Sequence, residues 1–171
     1  RANKFQHLPT KVQKGIKLHR HIDTYTDAHS IPKISSRRLH ANYSHYSRVI
    51  VDIYYDHFLA KNWSKYSDTP LDIFVEDFYD LLEDNYEILP EGAKRMMPYM
   101  ISDNWLYNYS KMEGIGNVLN GMNRRTKNKS KMNFAIIDLE EHYDSFEKEF
   151  TEFFEELITF SKHKYISLLN E

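Results

Sequence analysis

The stretch YDSFEKEFTEFFEELITF, residues Tyr143 to Phe160, decides the fold class. Tyr143, Phe146, Phe150, Phe153, Leu157 and Phe160 recur at steps of three and four, the spacing that lays apolar side chains along one face of an α-helix. The surrounding chain predicts one long last helix from about Met132 to Leu169. Upstream, Leu71, Phe74, Val75, Phe78, Leu82, Tyr86 and Leu89 form a second stripe that ends at Pro90. Thr69 can cap that helix, Pro70 suits its first position, and Asp72 favours the positive helix start. Further helices are expected from about Pro9 to Ala28 and from about Ile34 through Lys61, the latter bent near Tyr43 with Val49, Ile50, Ile53 and Leu59 facing inward. Gly92 and Pro98 are read as breaks that leave a short piece and a helix near Ser102 to Lys111. Gly114 and Gly116 open another short helix, and Asn123 to Lys131 reads as a loop. No segment alternates as a strand would. The expectation is an all-α, single-domain helical bundle over residues 1–171.

Composition narrows the function classes. A chain of 171 residues can bury one real core, and 41% apolar with 28% charged residues excludes wholesale disorder. The 15% aromatic share, with 13 Tyr, predicts a ring-rich core whose edge keeps many hydroxyls in water. A net charge of −2 gives no general attraction to nucleic acid. The absence of Cys excludes disulfides, thiolate metal sites and a Cys nucleophile, and fits a reducing cytoplasm. No apolar run approaches the roughly 18 residues of a membrane span, and no signal peptide opens the chain. Because the first residue is Arg1, the chain is expected to be a fragment without its natural start.

Three clusters can carry chemistry. His19, Asp23 and Asp27 are four residues apart and share one helix face, where an imidazole and a carboxylate can hold one metal ion. The alternative is a solvated face with a surface His–Asp pair. Asp52, Asp56 and His57 lie inside a segment built for burial, where paired carboxylates are costly without a cation. Nitrogen and oxygen donors of this kind suit Mn, Mg, Fe or Zn. The alternative here is that Asp52 is exposed while Asp56 and His57 merely pair with the first helix. The third cluster is the run Arg124, Arg125, Lys127, Lys129 and Lys131, fit for phosphate or for an acidic partner. It can equally be a solvated basic loop. Met96, Met97 and Met100 read as gap-filling core.

Taken in order, these motifs resemble the acyl carrier protein phosphodiesterases. The carriers are H-R-x-I-D-x-x-T-D at His19 to Asp27, D-x-x-x-D-H-F-L-x-x-x-W at Asp52 to Trp63, and Ile88-Leu89-Pro90. Trp105-Leu106, the block Asn117 to Met122, and Asp138-Leu139 with His142-Tyr143-Asp144 complete the likeness. The resemblance implies a helical fold distantly related to the HD-type metal phosphohydrolases. Asp56-His57 reverses the usual His-Asp order, so the ligand assignments of ordinary HD enzymes do not transfer. Family members also begin with a segment containing a His, an Asn and an Asp needed for activity, which this chain is expected to lack.

The resemblance implies hydrolysis of the phosphodiester that joins 4′-phosphopantetheine to a serine of holo acyl carrier protein. It implies a divalent cofactor, Mn(II) first and Mg(II) or Fe(II) next, with His19, Asp23, Asp56 and His57 as the expected ligands. Asp52 or Asp27 would orient the attacking water or a liganding imidazole. Arg20, Arg124 and Arg125 would meet the phosphoryl oxygens, and Lys127, Lys129 and Lys131 would dock the acidic carrier protein. The expected enzyme is cytoplasmic, with neither nucleic acid nor membrane as partner. Two other readings stay open: an HD-like nucleotide phosphohydrolase, and a non-catalytic helical protein that binds acyl carrier protein.

Overall fold

The aromatic stripe of the C-terminal stretch folds as a continuous helix and supplies the centre of the core. The computed structural model describes residues 5–170. Its helices are α1 (Thr10–Ala28), α2 (Ser30–Tyr43), α3 (Ser47–Lys61), α4 (Leu71–Asp84), α5 (Glu91–Ser102), α6 (Trp105–Asn108), α7 (Met112–Arg125), α8 (Ala135–Glu141) and α9 (Tyr143–Leu169). Single 3-10 turns stand at Ser44–Tyr46, Trp63–Lys65, Tyr86–Ile88 and Met132–Phe134. No strand occurs among the described residues, and the fold is all-α.

Phe146, Phe150 and Phe153 of α9 are buried against α3. The Tyr54 and Phe146 rings meet edge to face at 5.0 Å, and Phe58 stacks on Phe150 at 6.0 Å. Burying each such side chain contributes roughly 1.5–3 kcal/mol. α9 also lies against α1 and α2, while α3 packs on α2 and α7. α4 and α5 join this body through α6, which leans on α7. Polar ties reinforce the contacts. Arg38 of α2 donates to Glu149 of α9 and lies over the Phe146 ring, and Ser35 shares a 2.7 Å hydrogen bond with the Tyr55 hydroxyl.

Several boundaries differ from expectation. The segment predicted as one helix from Ile34 to Lys61 is two, because Ser44 adopts φ 51 and turns the chain between α2 and α3. α5 runs through Pro98, which is exposed and has no N–H to give the carbonyl four residues back. The helix expected near Ser102 to Lys111 shrinks to the short α6. α7 takes in Asn123, Arg124 and Arg125, so the expected loop from Asn123 to Lys131 begins only after Arg125. His142, with φ −115 and ψ 24, divides the predicted last helix into α8 and α9. Pro70 precedes the first helical residue of α4 and makes no side-chain cap, while Asp72 accepts from the Ile73 backbone N–H at 3.0 Å. Along α4 Val75 and Tyr79 are buried, Leu71, Phe78 and Leu82 are half-buried, and Phe74 is exposed. Of the three methionines read as core, Met97 is buried and Met96 is exposed.

The approach of α6 to α7 depends on one glycine. A Cβ at Gly114 would lie 2.0 Å from the backbone oxygen of Asn108, whereas one at Gly116 would meet open space. Gly114→Ala is therefore expected to destabilise the protein by about 1–3 kcal/mol through overpacking. Gly116→Ala should be neutral or stabilising, because helix interiors prefer Ala. Thermal denaturation followed by circular dichroism of both variants checks the contrast.

Candidate active site

α3 is buried around most of its circumference, and that decides where its charged groups can go. Ile50, Val51, Ile53, Tyr54, Tyr55, His57, Phe58 and Ala60 are all buried. Arg48, Asp52 and Asp56 remain exposed, and their four-residue spacing makes them one stripe along the helix. The carboxylates expected inside the core thus lie on its open edge. They are recessed all the same. Asp52 is pushed up to about 6, first by burial and then by the charges of Asp27 and Asp23 on α1. Asp56 is pushed up to about 7 by burial and by the charge of Asp52. Both groups keep an open side to water while protein atoms crowd the other, so screening is incomplete.

His57 takes a different role from its neighbour. It is 1% exposed, and both ring nitrogens are engaged. Nδ1 lies 2.8 Å from the Tyr109 carbonyl, which can only accept, so Nδ1 carries the proton. Nε2 then accepts from the Tyr143 hydroxyl at 2.7 Å. Burial lowers the His57 pKa, which agrees with this neutral tautomer. As arranged, the imidazole joins α3 to the α6–α7 turn and to α9, and ligation through Nε2 would require displacing Tyr143.

On α1, His19 and Asp23 form a 3.0 Å pair whose side chains are both open to solvent. Asp27 meets Asp52, Ser36 and Arg48 around a crevice of about 50 Å³. Arg48 was missed in the sequence, although it stands one helical turn before Asp52 and spacing could have found it. Arg20 lies over the Phe5 ring at 4.7 Å and does not line the larger cavity that receives the other arginines.

That cavity, of about 1000 Å³, opens between α5, α6 and α7. Met96, Met100, Trp105 and Val118 are among its walls, and Arg124 and Arg125 stand at one end of α7 on its border. Tyr109 connects the two regions. It lines the cavity, and its hydroxyl is pushed up to about 12 by burial and then by the charge of Asp56. No signal in the sequence marked Tyr109 or Tyr143 as neighbours of His57.

The basic run after Arg125 is an ordered turn. Buried Asn123 donates to Asn128 at 3.1 Å and accepts from buried Ser130 at 3.0 Å. Thr126 accepts from the Ser130 backbone N–H at 3.2 Å. Lys127, Asn128 and Lys131 hold left-handed backbone angles, with φ of 56, 60 and 57. The Lys127, Lys129 and Lys131 side chains stand exposed on this turn.

A family model described as acyl carrier protein phosphodiesterase matches residues 1–157. The chain belongs to the acyl carrier protein phosphodiesterase family. Proteins named acyl carrier protein phosphodiesterase from Escherichia coli O139:H28 and Salmonella dublin are each 33% identical to it, over 96% of this chain and 86% of theirs. The one from Photorhabdus laumondii is 31% identical over 166 residues, covering 83% of that relative. No solved structure matches the chain.

For a member of this family, the fit of a divalent metal is a question of donors. Among the described residues, no three His, Asp or Glu side chains converge closely enough to hold an ion as they stand. His57 is engaged on both nitrogens, and His19 with Asp23 forms an exposed pair. The residues as arranged are therefore not a ready ligand set, although the carboxylates of Asp23, Asp27, Asp52 and Asp56 act on one another in sequence.

Two outcomes are expected. Tyr143→Phe leaves a buried imidazole nitrogen without its donor and should cost about 1–3 kcal/mol, read as a lower melting temperature. The raised carboxyls act through pH. Their folded values lie above the ordinary 3.8, so proton binding favours the folded state below about pH 4. That contribution is lost as pH rises through about 6 for Asp52 and about 7 for Asp56. Asp56→Asn should therefore raise the melting temperature more at about pH 8 than at about pH 5 in chelator-treated protein.

Proposed function

We propose that this chain hydrolyses the phosphodiester between 4′-phosphopantetheine and the serine of holo acyl carrier protein, releasing phosphopantetheine and the apo form. The observation that carries the reading is the path along α3. Recessed carboxylates run from Asp52 to Asp56 and on to Tyr109, which lines a cavity bordered by Arg124 and Arg125. The names of the family and of its relatives support the substrate.

The chemistry needs a water oxygen to bond phosphorus, the serine oxygen to leave, and a proton to reach that oxygen. Carboxyl groups that titrate near neutrality suit such proton transfers at physiological pH. Asp52 and Asp56 are the residues proposed to move the proton. Arg124 and Arg125 are proposed to meet charge growing on the phosphoryl oxygens, where forked, charge-assisted hydrogen bonds are strongest. Asp27, Asp23 and His19 are proposed to complete the acidic edge, with Arg20, also on α1, proposed to meet the phosphoryl oxygens. A divalent ion, Mn(II) before Mg(II) or Fe(II), is proposed as cofactor and would supply Lewis-acid activation of water when bound. Its support is the mutual repulsion of the carboxylates.

Docking is proposed at the ordered turn. Lys127, Lys129 and Lys131 are followed by Phe134 and Ile137, both more than half exposed. Cations beside an exposed apolar pair suit an acidic protein that also offers an apolar contact. The proposed location is the cytoplasm. Among the described residues, no helix is long and apolar enough to cross a membrane.

The test is turnover of holo acyl carrier protein, read as loss of the phosphopantetheine mass, beside a panel of nucleotides. Chelation should abolish turnover and added Mn(II) should restore it. Asp56→Asn should lower kcat/KM on the order of a hundredfold or more. Untouched holo carrier protein with nucleotide hydrolysis would overturn the reading. Reversing Lys127, Lys129 and Lys131 to Glu should raise KM on the order of tenfold and flatten its salt dependence, with kcat nearly unchanged.

A further inference from the structure

Two helices leave apolar side chains in solvent, and the charges around them differ in sign. Along α4, Ile73, Phe74 and Leu81 are exposed. They sit among Asp72, Glu76, Asp77, Asp80, Glu83 and Asp84, and no Lys or Arg occurs from Asp68 to Glu91. Near the end of α9, Tyr165, Ile166 and Leu169 are each more than half exposed. Exposed Lys162 stands one turn before them, and the helical spacing puts all four on one face.

That face belongs to a firmly seated helix. Leu168 points about 100° away from Leu169 and is buried. Phe160 stacks on Tyr25 of α1 at 4.3 Å, and Lys14 of α1 donates to the Leu169 carbonyl at 3.2 Å. α1 and α9 therefore run antiparallel, with the start of α1 beside the apolar stripe. α1 brings Lys11, Lys14 and Lys17 to this end, and α9 brings Lys162 and Lys164. No Asp or Glu occurs from Phe5 to Ile22 or from Leu157 to Asn170. A chain with a net charge of −2 thus gathers lysines and an exposed apolar stripe at one end of a helix pair.

We infer that this end of the α1–α9 pair is a contact surface for an anionic lipid bilayer, which it meets reversibly and does not span. The lysines face the headgroup phosphates, while Tyr165, Ile166 and Leu169 enter the boundary between headgroups and acyl chains. Each cation held near an anionic leaflet raises affinity about fivefold. The charge pattern favours lipid over a second copy seated on the same end, which would set lysines against lysines. It also separates this stripe from α4, whose carboxylates an anionic leaflet repels. The surface departs from the expectation that no membrane is a partner, although no helix among the described residues is long and apolar enough to cross one. None of its residues belongs to the proposed catalytic or carrier-docking groups.

Vesicle flotation tests the surface. The protein should bind a two-to-one mixture of phosphatidylcholine and phosphatidylglycerol on the order of tenfold or more tighter than phosphatidylcholine alone. Most of that binding should be lost between about 50 and 500 mM salt. Lys11→Glu with Lys162→Glu should weaken it on the order of a hundredfold. Ile166→Asn with Leu169→Asn should weaken it on the order of tenfold, with helix content by circular dichroism unchanged. Tyr165→Trp keeps every charge, and its added emission should shift to the blue on the anionic vesicles alone. Leu81→Asn on α4 should bind as the unmodified protein does. Equal binding to both vesicle types, full binding by the Ile166–Leu169 variant, or an equal loss in Leu81→Asn overturns the inference. Salt-sensitive self-association in sedimentation velocity, without vesicle binding, also overturns it and assigns the stripe to the acidic α4 of a second copy.

Discussion

The confinement of α3 governs the rest of the molecule. A helix packed by α2, α7 and α9 has little surface on which a charge can stay hydrated. Its polar side chains meet that constraint in two ways. Tyr54 donates to the Ala135 carbonyl, Tyr55 pairs with Ser35, and His57 is held between Tyr109 and Tyr143. Among the described residues, no buried side-chain nitrogen or oxygen lacks a partner. Arg48, Asp52 and Asp56 instead share the open stripe. Two solutions to one desolvation problem thus separate the structural polar groups from the candidate chemical ones.

The separation changes how the Asp56-His57 pair is understood. Adjacent residues on a helix point about 100° apart, so a buried imidazole and an open carboxylate are natural neighbours in sequence. His57 is a neutral cross-link whose two hydrogen bonds set the distance between α3, α9 and the turn before α7. Asp56 is the group with chemical freedom. Its raised pKa follows from a concave surface and a second carboxylate one turn away, a combination frequently found where proton transfer is needed.

The α5–α6–α7 region supplies what α3 cannot. It brings a large apolar concavity bordered by Tyr109 just before α7 and by a pair of arginines in the last turn of α7. Its shape depends on the close passage of α6 over Gly114 and on α5 continuing through Pro98. Beyond Arg125, the Asn123–Thr126–Ser130 network fixes a turn in which lysines accept left-handed backbone angles. A solvated basic stretch would need no such network.

By itself the sequence determined the all-α class, because the Phe146–Phe150–Phe153 spacing admits only a helix face, and it determined the family through ordered motifs around Asp23, Asp56 and Asn117. It also marked Arg124 and Arg125 as cations fit for phosphate, and the structure puts both on the border of a cavity. Helix ends were less legible. The breaks at Ser44 and His142 lie in residues without a strong local stop, where packing rather than propensity chose the boundary. The fates of Asp56 and His57 were invisible for a different reason. Periodicity says that two residues face different ways, but only the neighbouring helices decide which way is inside. The same holds for Met96 and Met100. Hydrophobicity predicts that such side chains seek contact, and tertiary structure alone decided that they border a cavity instead of filling it.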